Sequence, residues 1–309
     1  MMRPLALLLL LIAPLSGKDY PWSGKAPAEV TAASLLPDMV LDEIPCNWRP
    51  VLTPIVEPLV ENCTNAREAV LSIASRLSKS TGVYYSPHRR KHNMNALEAL
   101  AEKKVSCTGQ SILMVCALRS IGIPARAVGL LTWNHIAGNH TWTEAWFDGA
   151  WHMIEFNESD FNTPWVMEGI GMLNGEIPAQ RIKAATPAGN SRWYPKSAHQ
   201  SDIPAEDVTD RYRHLAGNWY RQHGLAENHQ LLLIDVHPRR NDALLVELLN
   251  AKQELVKTAK LPSLSDDMRF HARLELPREG LFYLRIQGTG IQFPIRASDS
   301  IVQLLELSF

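Results

Sequence analysis

Ser106-Cys107-Thr108-Gly109-Gln110-Ser111 runs into the apolar positions Ile112, Leu113, Val115, Cys116 and Leu118 and then reaches Gly122. Ser106 is a good N-cap and Gly122 a good stop, so a buried helix is expected from Cys107 to Ser120, its first turn left open at the cysteine. Two alternating runs follow, His140 to Phe147 and Ala150 to Phe156, joined by Asp148-Gly149, a strong signal for a tight hairpin. A two-residue loop pairs Phe147 with Ala150, Trp146 with Trp151, Glu144 with Met153, Trp142 with Glu155 and His140 with Asn157. Side chains alternate between faces, so His140, Trp142, Glu155 and Asn157 share one.

Those residues carry chemistry. A cysteine attacks only as thiolate, and a helix start favours the thiolate through free N–H groups and the positive end of the dipole. A histidine in reach completes the activation, and an acid or amide holds the imidazole in the needed tautomer. Cys107 is the expected nucleophile and His140 the base; Glu155 is the first choice of orienting group and Asn157 the alternative. The backbone N–H of Cys107 is an expected oxyanion donor, and a side-chain donor is left open among Gln110, Asn93 and Asn95. Cys116 reads as core, Arg119 and Arg126 as structural polar contacts, and Trp133, Trp142, Trp146 and Trp151 as core or cleft wall. His135 falls in a loop and His152 on the other hairpin face, so neither is expected to be catalytic.

Outward from this centre, Asn65 caps a helix running to Gly82, with Ala66, Val70, Ile73 and Leu77 on its apolar face. Helical patterning also begins near Pro27-Ala28-Glu29 and spans Asn95 to Lys103, and Ile123 to Leu131 reads as a strand. From Phe161 to about His223, Pro, Gly, Asn and aromatic residues predict a wrapping segment with little regular structure. Leu231 to Val236, Leu244 to Leu249, Phe270 to Leu276 and Leu281 to Gln287 are short strand-like runs, read as a small β-sandwich. The expected divisions are a signal peptide at 1–17, a helical or extended segment at 18–64, a catalytic core at 65–160, the wrapping segment at 161–225 and the sandwich at 226–309.

Composition narrows the classes. The 309 residues, 46% hydrophobic with a formal net charge of −1, can bury a sizeable core and argue against a nucleic-acid partner. The basic run His88-Arg89-Arg90-Lys91 reads as a solvated loop. Arg3, the apolar run from Leu5 to Leu15 and Ser16-Gly17 read as a secretory signal, the run falling short of the roughly 20 residues a membrane span needs. Secretion or a periplasmic location follows, with no stable membrane insertion after signal removal. In an exported protein Cys46 and Cys63, each near turn-like sequence, are a disulfide candidate. The cysteine spacings match no metal site, and no cofactor is expected. Three sequons (Asn62, Asn139, Asn157) are discounted, because two flank the expected site.

A cysteine at a helix start, then Arg119-Ser120-Ile121-Gly122-Ile123-Pro124-Ala125-Arg126, then His-x-Trp-x-Glu at His140-Thr141-Trp142-Thr143-Glu144, then Trp151 and an acid at Glu155, occur in one order. This resembles the transglutaminase-like superfamily of papain-related folds, and with the preceding helices the resemblance covers about 65–159. It implies an α+β fold: a papain/transglutaminase-like core, in which the helix carrying the cysteine packs on an antiparallel sheet, beside the small C-terminal β-sandwich domain. It also implies a Cys-His-Asp triad; Cys107 and His140 match by position, while Glu155 stands where aspartate is usual and Asn157 where threonine often follows. Trp142, Glu144 and Gln110 are supporting positions. The implied activity is acyl transfer at peptide or amide bonds through an acyl-enzyme, in an exported thiol enzyme whose partner is a peptide or protein, the cell envelope included. Hydrolysis is favoured over cross-linking, since no dedicated amine site is identifiable. The alternative is a catalytically silent domain that binds peptide or glycan, which the substituted acid favours.

Overall fold

The computed structural model describes residues 19–133, 138–173, 177–187, 191–192, 203–242, 244–266, 271–298 and 301–308. The expected signal at 1–17 and His135 therefore lie outside the described residues. The chain forms two compact units, one of residues 1–131, 139–163 and 181–209, the other of 132–138, 164–180 and 210–309.

The first unit opens with α1 (Ala28–Ser34), α2 (Arg49–Val60) and α3 (Ala66–Thr81). The helix α2 falls in the segment 18–64 expected to be helical or extended, although Pro54 and Pro58 lie inside it. With Pro50 they recur every four residues and are all exposed, while Leu52, Val56, Leu59 and Val60 are buried. Each proline deletes an N–H that would have faced water, so the buried face keeps its bonds. The Asn65 side chain accepts from Glu68 N–H and Gly82 takes the left-handed C-cap at φ 72°, so α3 has the expected bounds.

Next come β1 (Tyr84–Tyr85), α4 (Ala96–Glu102), β2 (Lys104–Val105), α5 (Cys107–Ser120), β3 (Ala125–Leu130), β4 (His140–Phe147) and β5 (Ala150–Ile154). Then β6 (Lys183–Ala185), β7 (Ser191–Arg192) and β8 (Pro204–Asp207) complete a six-stranded sheet in the order β5-β4-β3-β6-β8-β7, antiparallel throughout. The helix α5 packs on β3 and β4 and is apolar all round after its first turn, with Ile112 to Leu118 buried. A helix with no polar face belongs inside. The β4–β5 hairpin has the expected register, from Phe147 opposite Ala150 to Glu144 opposite Met153. Asp148 and Gly149 take φ values of 49° and 77°, the double positive φ of a type I′ turn.

The second unit contains α6 (Pro164–Gly171), α7 (Thr209–Gln222, from Asp210 onward) and β9 (His229–His237), β10 (Leu245–Leu249), β11 (Leu255–Lys260), β12 (Ala272–Pro277), β13 (Phe282–Ile286), β14 (Gln292–Ile295) and β15 (Val302–Ser308). Sheets in the order β11-β10-β13-β14 and β12-β9-β15 share an apolar core that includes Leu232, Ile234, Leu248, Leu274 and Leu284. The other face of β9 offers Leu231 and Leu233 to a separate cluster with Met172, Tyr220, Leu225 and Val302. Burial on both faces explains the unbroken apolar run in β9.

The stretch 161–225 was expected to hold little regular structure and instead carries α6, β6, β7, β8 and α7. The apolar positions of α7, Tyr212, Ala216 and Tyr220, recur every four residues, but the polar, aromatic and glycine residues between them hide the period. Among the described residues no helix is long and apolar enough to cross a membrane.

Candidate active site

Ser106 begins the site. Its Oγ accepts from Gly109 N–H at 2.9 Å and donates to His92 O at 2.7 Å, fixing where α5 starts. A Cβ on Gly109 would come 2.9 Å from Val105 Cβ, so only glycine lets the first turn close against β2. Cys107 follows, partly exposed, with the backbone amides of Thr141 and Thr108 hydrogen-bonded to its sulfur.

His140, the first residue of β4, reaches that sulfur from the neighbouring strand. Its other contact is from Nε2 to Glu155 Oε1, which leaves Nδ1 as the ring nitrogen for the thiol. Glu155 is buried and sits one residue past the end of β5, so its extra methylene is accommodated where the chain leaves the ladder. Asn157 is not brought to His140. It is exposed with φ 67°, and its N–H bonds Ala74 O at 2.9 Å. The hairpin arithmetic placed it opposite His140, but pairing stops at Ile154.

The electrostatics follow from this chain of bonds. Burial pushes the Cys107 thiol up, yet the hydrogen bond and charge of His140, with the two amides, outweigh it and leave the thiol below its ordinary value. Burial pulls the His140 imidazole down, yet its bonds to the Cys107 sulfur and the Glu155 carboxylate outweigh it and raise the imidazole to about 9. Both shifts favour the thiolate–imidazolium form of the pair. A cysteine in that state needs no separate base before it attacks.

Other expected residues take structural places. Glu144 is fully buried and accepts from Arg126 Nε at 2.8 Å; Arg126 also reaches Glu206 at 2.9 Å and lies 4.1 Å over the Trp151 ring. Arg119 is buried and donates to Ser34, Ala125, Pro37 and Met39 carbonyls. Trp142 is buried, its ring 5.8 Å from that of His140, a wall to the imidazole. His152 stacks on Phe147 at 3.8 Å. Of the possible oxyanion side chains, Asn93 bonds Asp42 and Asn95 caps α4; Gln110, at intermediate exposure, lies in the first turn of α5.

Sequence reasoning missed the ties between helix and strand. Ser111 Oγ donates to Thr141 O at 3.0 Å, and the Thr108 and Thr141 hydroxyls pair at 3.1 Å. A Cβ on Gly129, opposite Thr141, would come 2.4 Å from His140 O. The small polar residues on the first turn of an otherwise apolar helix were a signal for the ties from Ser111 and Thr108, whereas Gly129 and Thr141 act through a spacing that no local pattern marks.

Cys46 and Cys63 do not form the expected disulfide, since both are free. They flank the 12-residue α2, about 18 Å long at 1.5 Å per residue. A disulfide needs Cα atoms within about 7 Å.

Residues 53–156 match the profile of the Transglutaminase-like superfamily. No curated protein matches the chain. Among solved structures, the chain is similar to a Cytophaga hutchinsonii protein provisionally described as a cysteine protease (13% identity, 55% of this chain and 60% of that one, TM-score 0.34). It is also similar to red sea bream transglutaminase (11% identity, 82% and 59%, TM-score 0.36) and to a Parabacteroides distasonis protein provisionally described as a protease (11%, 64% and 32%, TM-score 0.31). The chain thus spans about three fifths or less of the length of these structures. The matched segment runs from α2 through the end of the hairpin and encloses Cys107, His140 and Glu155, so this part of the chain is similar to the transglutaminase-like superfamily.

Proposed function

We propose that this protein is an exported thiol enzyme that cleaves peptide or amide bonds, with Cys107 as nucleophile, His140 as general acid and base and Glu155 as the orienting group. The continuous bonding from sulfur through imidazole to carboxylate supports this reading. The Cys107 thiolate attacks the carbonyl carbon, and the resulting oxyanion lies by the N–H of Cys107. His140 gives its proton to the departing amine, which leaves a thioester on Cys107. Water then attacks the thioester while His140 takes one of its protons; the acid departs and the thiolate–imidazolium pair is restored.

Hydrolysis is preferred to cross-linking because, among the described residues, no side-chain constellation near Cys107 marks a second, amine-binding site. The test incubates wild type and Cys107→Ala with a peptide library, with and without a primary amine, and reads cleavage and amine incorporation by mass. Cleavage by wild type alone is expected, and equal profiles for the two proteins overturn the proposal. Dominant amine incorporation would retain the thiol chemistry and replace water as acceptor.

A further inference from the structure

The second unit has a half-open cavity of about 400 Å³ along α7, within the ~300–1,000 Å³ range of small-molecule sites. Asp210, Arg213, His214, Gly217, Asn218 and Arg221 line it from α7 at spacings of three and four, one side of the helix. Arg278 joins them from the turn after β12.

The glycines there have a packing reason. A Cβ on Gly217 would meet Ile301 Cδ1 at 3.0 Å, and one on Gly171 would come 2.6 Å from Val302 Cγ2. The arginines have none. Arg221 reaches only the Ala226 carbonyl, at 3.1 Å, and among the described residues Arg213, Arg221 and Arg278 form no ion pair. Three guanidinium groups thus line one cavity whose only carboxylate among the described residues is that of Asp210. The guanidinium fork matches carboxylate and phosphate oxygens two at a time.

We propose that this cavity binds a small organic anion bearing two separated phosphate or carboxylate groups, held between Arg213 and Arg221 and clamped by Arg278. Arg213 and Arg221 lie eight residues apart, about 12 Å along the helix, which suits two anionic groups better than one inorganic ion. Asp210 and Asn218 offer acceptors for hydroxyl groups on the same ligand.

The test titrates the full chain calorimetrically at low ionic strength with fructose 1,6-bisphosphate, suberate and inorganic phosphate. One of the two dianions is expected to bind with Kd below ~1 mM and at least ~10-fold tighter than inorganic phosphate, a tenfold difference being 1.4 kcal/mol. Which of them binds tells phosphate from carboxylate. Arg213→Gln/Arg278→Gln should weaken it at least ~10-fold with an unchanged circular dichroism spectrum and an unchanged Cys107 alkylation rate. Should that pair not fold, Arg213→Lys/Arg278→Lys serves, keeping the charges and losing the forks, and should bind more weakly than wild type. Absence of binding by both dianions to ~10 mM, or equal binding by wild type and variant, overturns the proposal.

Discussion

Cys107 and Cys116 lie on the same helix, and their thiols are driven in opposite directions. Cys116, buried among apolar residues of the core, is pushed far up by burial, against a smaller opposing pull from Arg119. Cys107 meets the same desolvation but has His140 and two amides to answer it. Burial alone therefore pushes a thiol up, and it is the partner reaching across from β4 that brings the same residue type below its ordinary value.

Replacing the sulfur tests that contrast hardest. Cys107→Ala should abolish peptide cleavage, a loss of at least ~10³-fold. Iodoacetamide at pH 6, followed by digestion and mass measurement, should label Cys107 and leave Cys116 unmodified. Equal labelling of both, or Cys107 reacting no faster than a model thiol, would break the contrast.

Glu155→Gln comes next, because it leaves the sulfur and takes away the charge that holds His140 protonated. A loss of about 10²–10⁴-fold in kcat is expected, the range found where the group behind a catalytic histidine is changed. The pH profile carries the sharper signature. The raised imidazole adds stability below its unfolded value of about 6.5 that is lost as pH rises through about 9. The depressed thiol adds stability above its ordinary value that is lost as pH falls through the folded one. The active window lies between, and the variant should lose its alkaline side, the limb moving from about 9 toward the ordinary imidazole range. A limb that stays in place would remove Glu155 from the mechanism.

The parts of this centre were unequally legible. The Asp148-Gly149 turn set the register of the hairpin, and with it the place of Glu155, because a two-residue loop admits one pairing. Asn157 was misplaced by the same arithmetic, since nothing in its sequence marks the point at which the chain turns to φ 67°. The segment 18–64 was legible only as helical or extended, because α2 tolerates Pro54 and Pro58 on its exposed face, and which face is buried is a tertiary fact. Gly129 and Thr141 had no local signature of importance, because their role is the distance between two backbones that are far apart in sequence.

That distance can be altered directly. Gly129→Ala places a methyl 2.4 Å from His140 O, so β4 must shift away from β3 at a cost of about 1–3 kcal/mol. Urea denaturation should show the loss, and Cys107 alkylation at pH 6 should slow while Cys116 stays unlabelled. A destabilised variant with an unchanged alkylation rate would mean that the spacing of β3 and β4 does not set the reach of His140.

Ser106→Ala is the gentlest test and separates the helix end from its partner. The hydroxyl caps Gly109 N–H and anchors His92 O, so its loss should cost about 1 kcal/mol of stability. The amides of Thr108 and Thr141 and the imidazole of His140 all remain against the sulfur. A helix-end charge effect is worth about 0.3–1 kcal/mol, below one pK unit, so the midpoint of the Cys107 alkylation profile should move by less than that. A larger upward move would make the helix start, and not His140, the chief reason that Cys107 differs from Cys116.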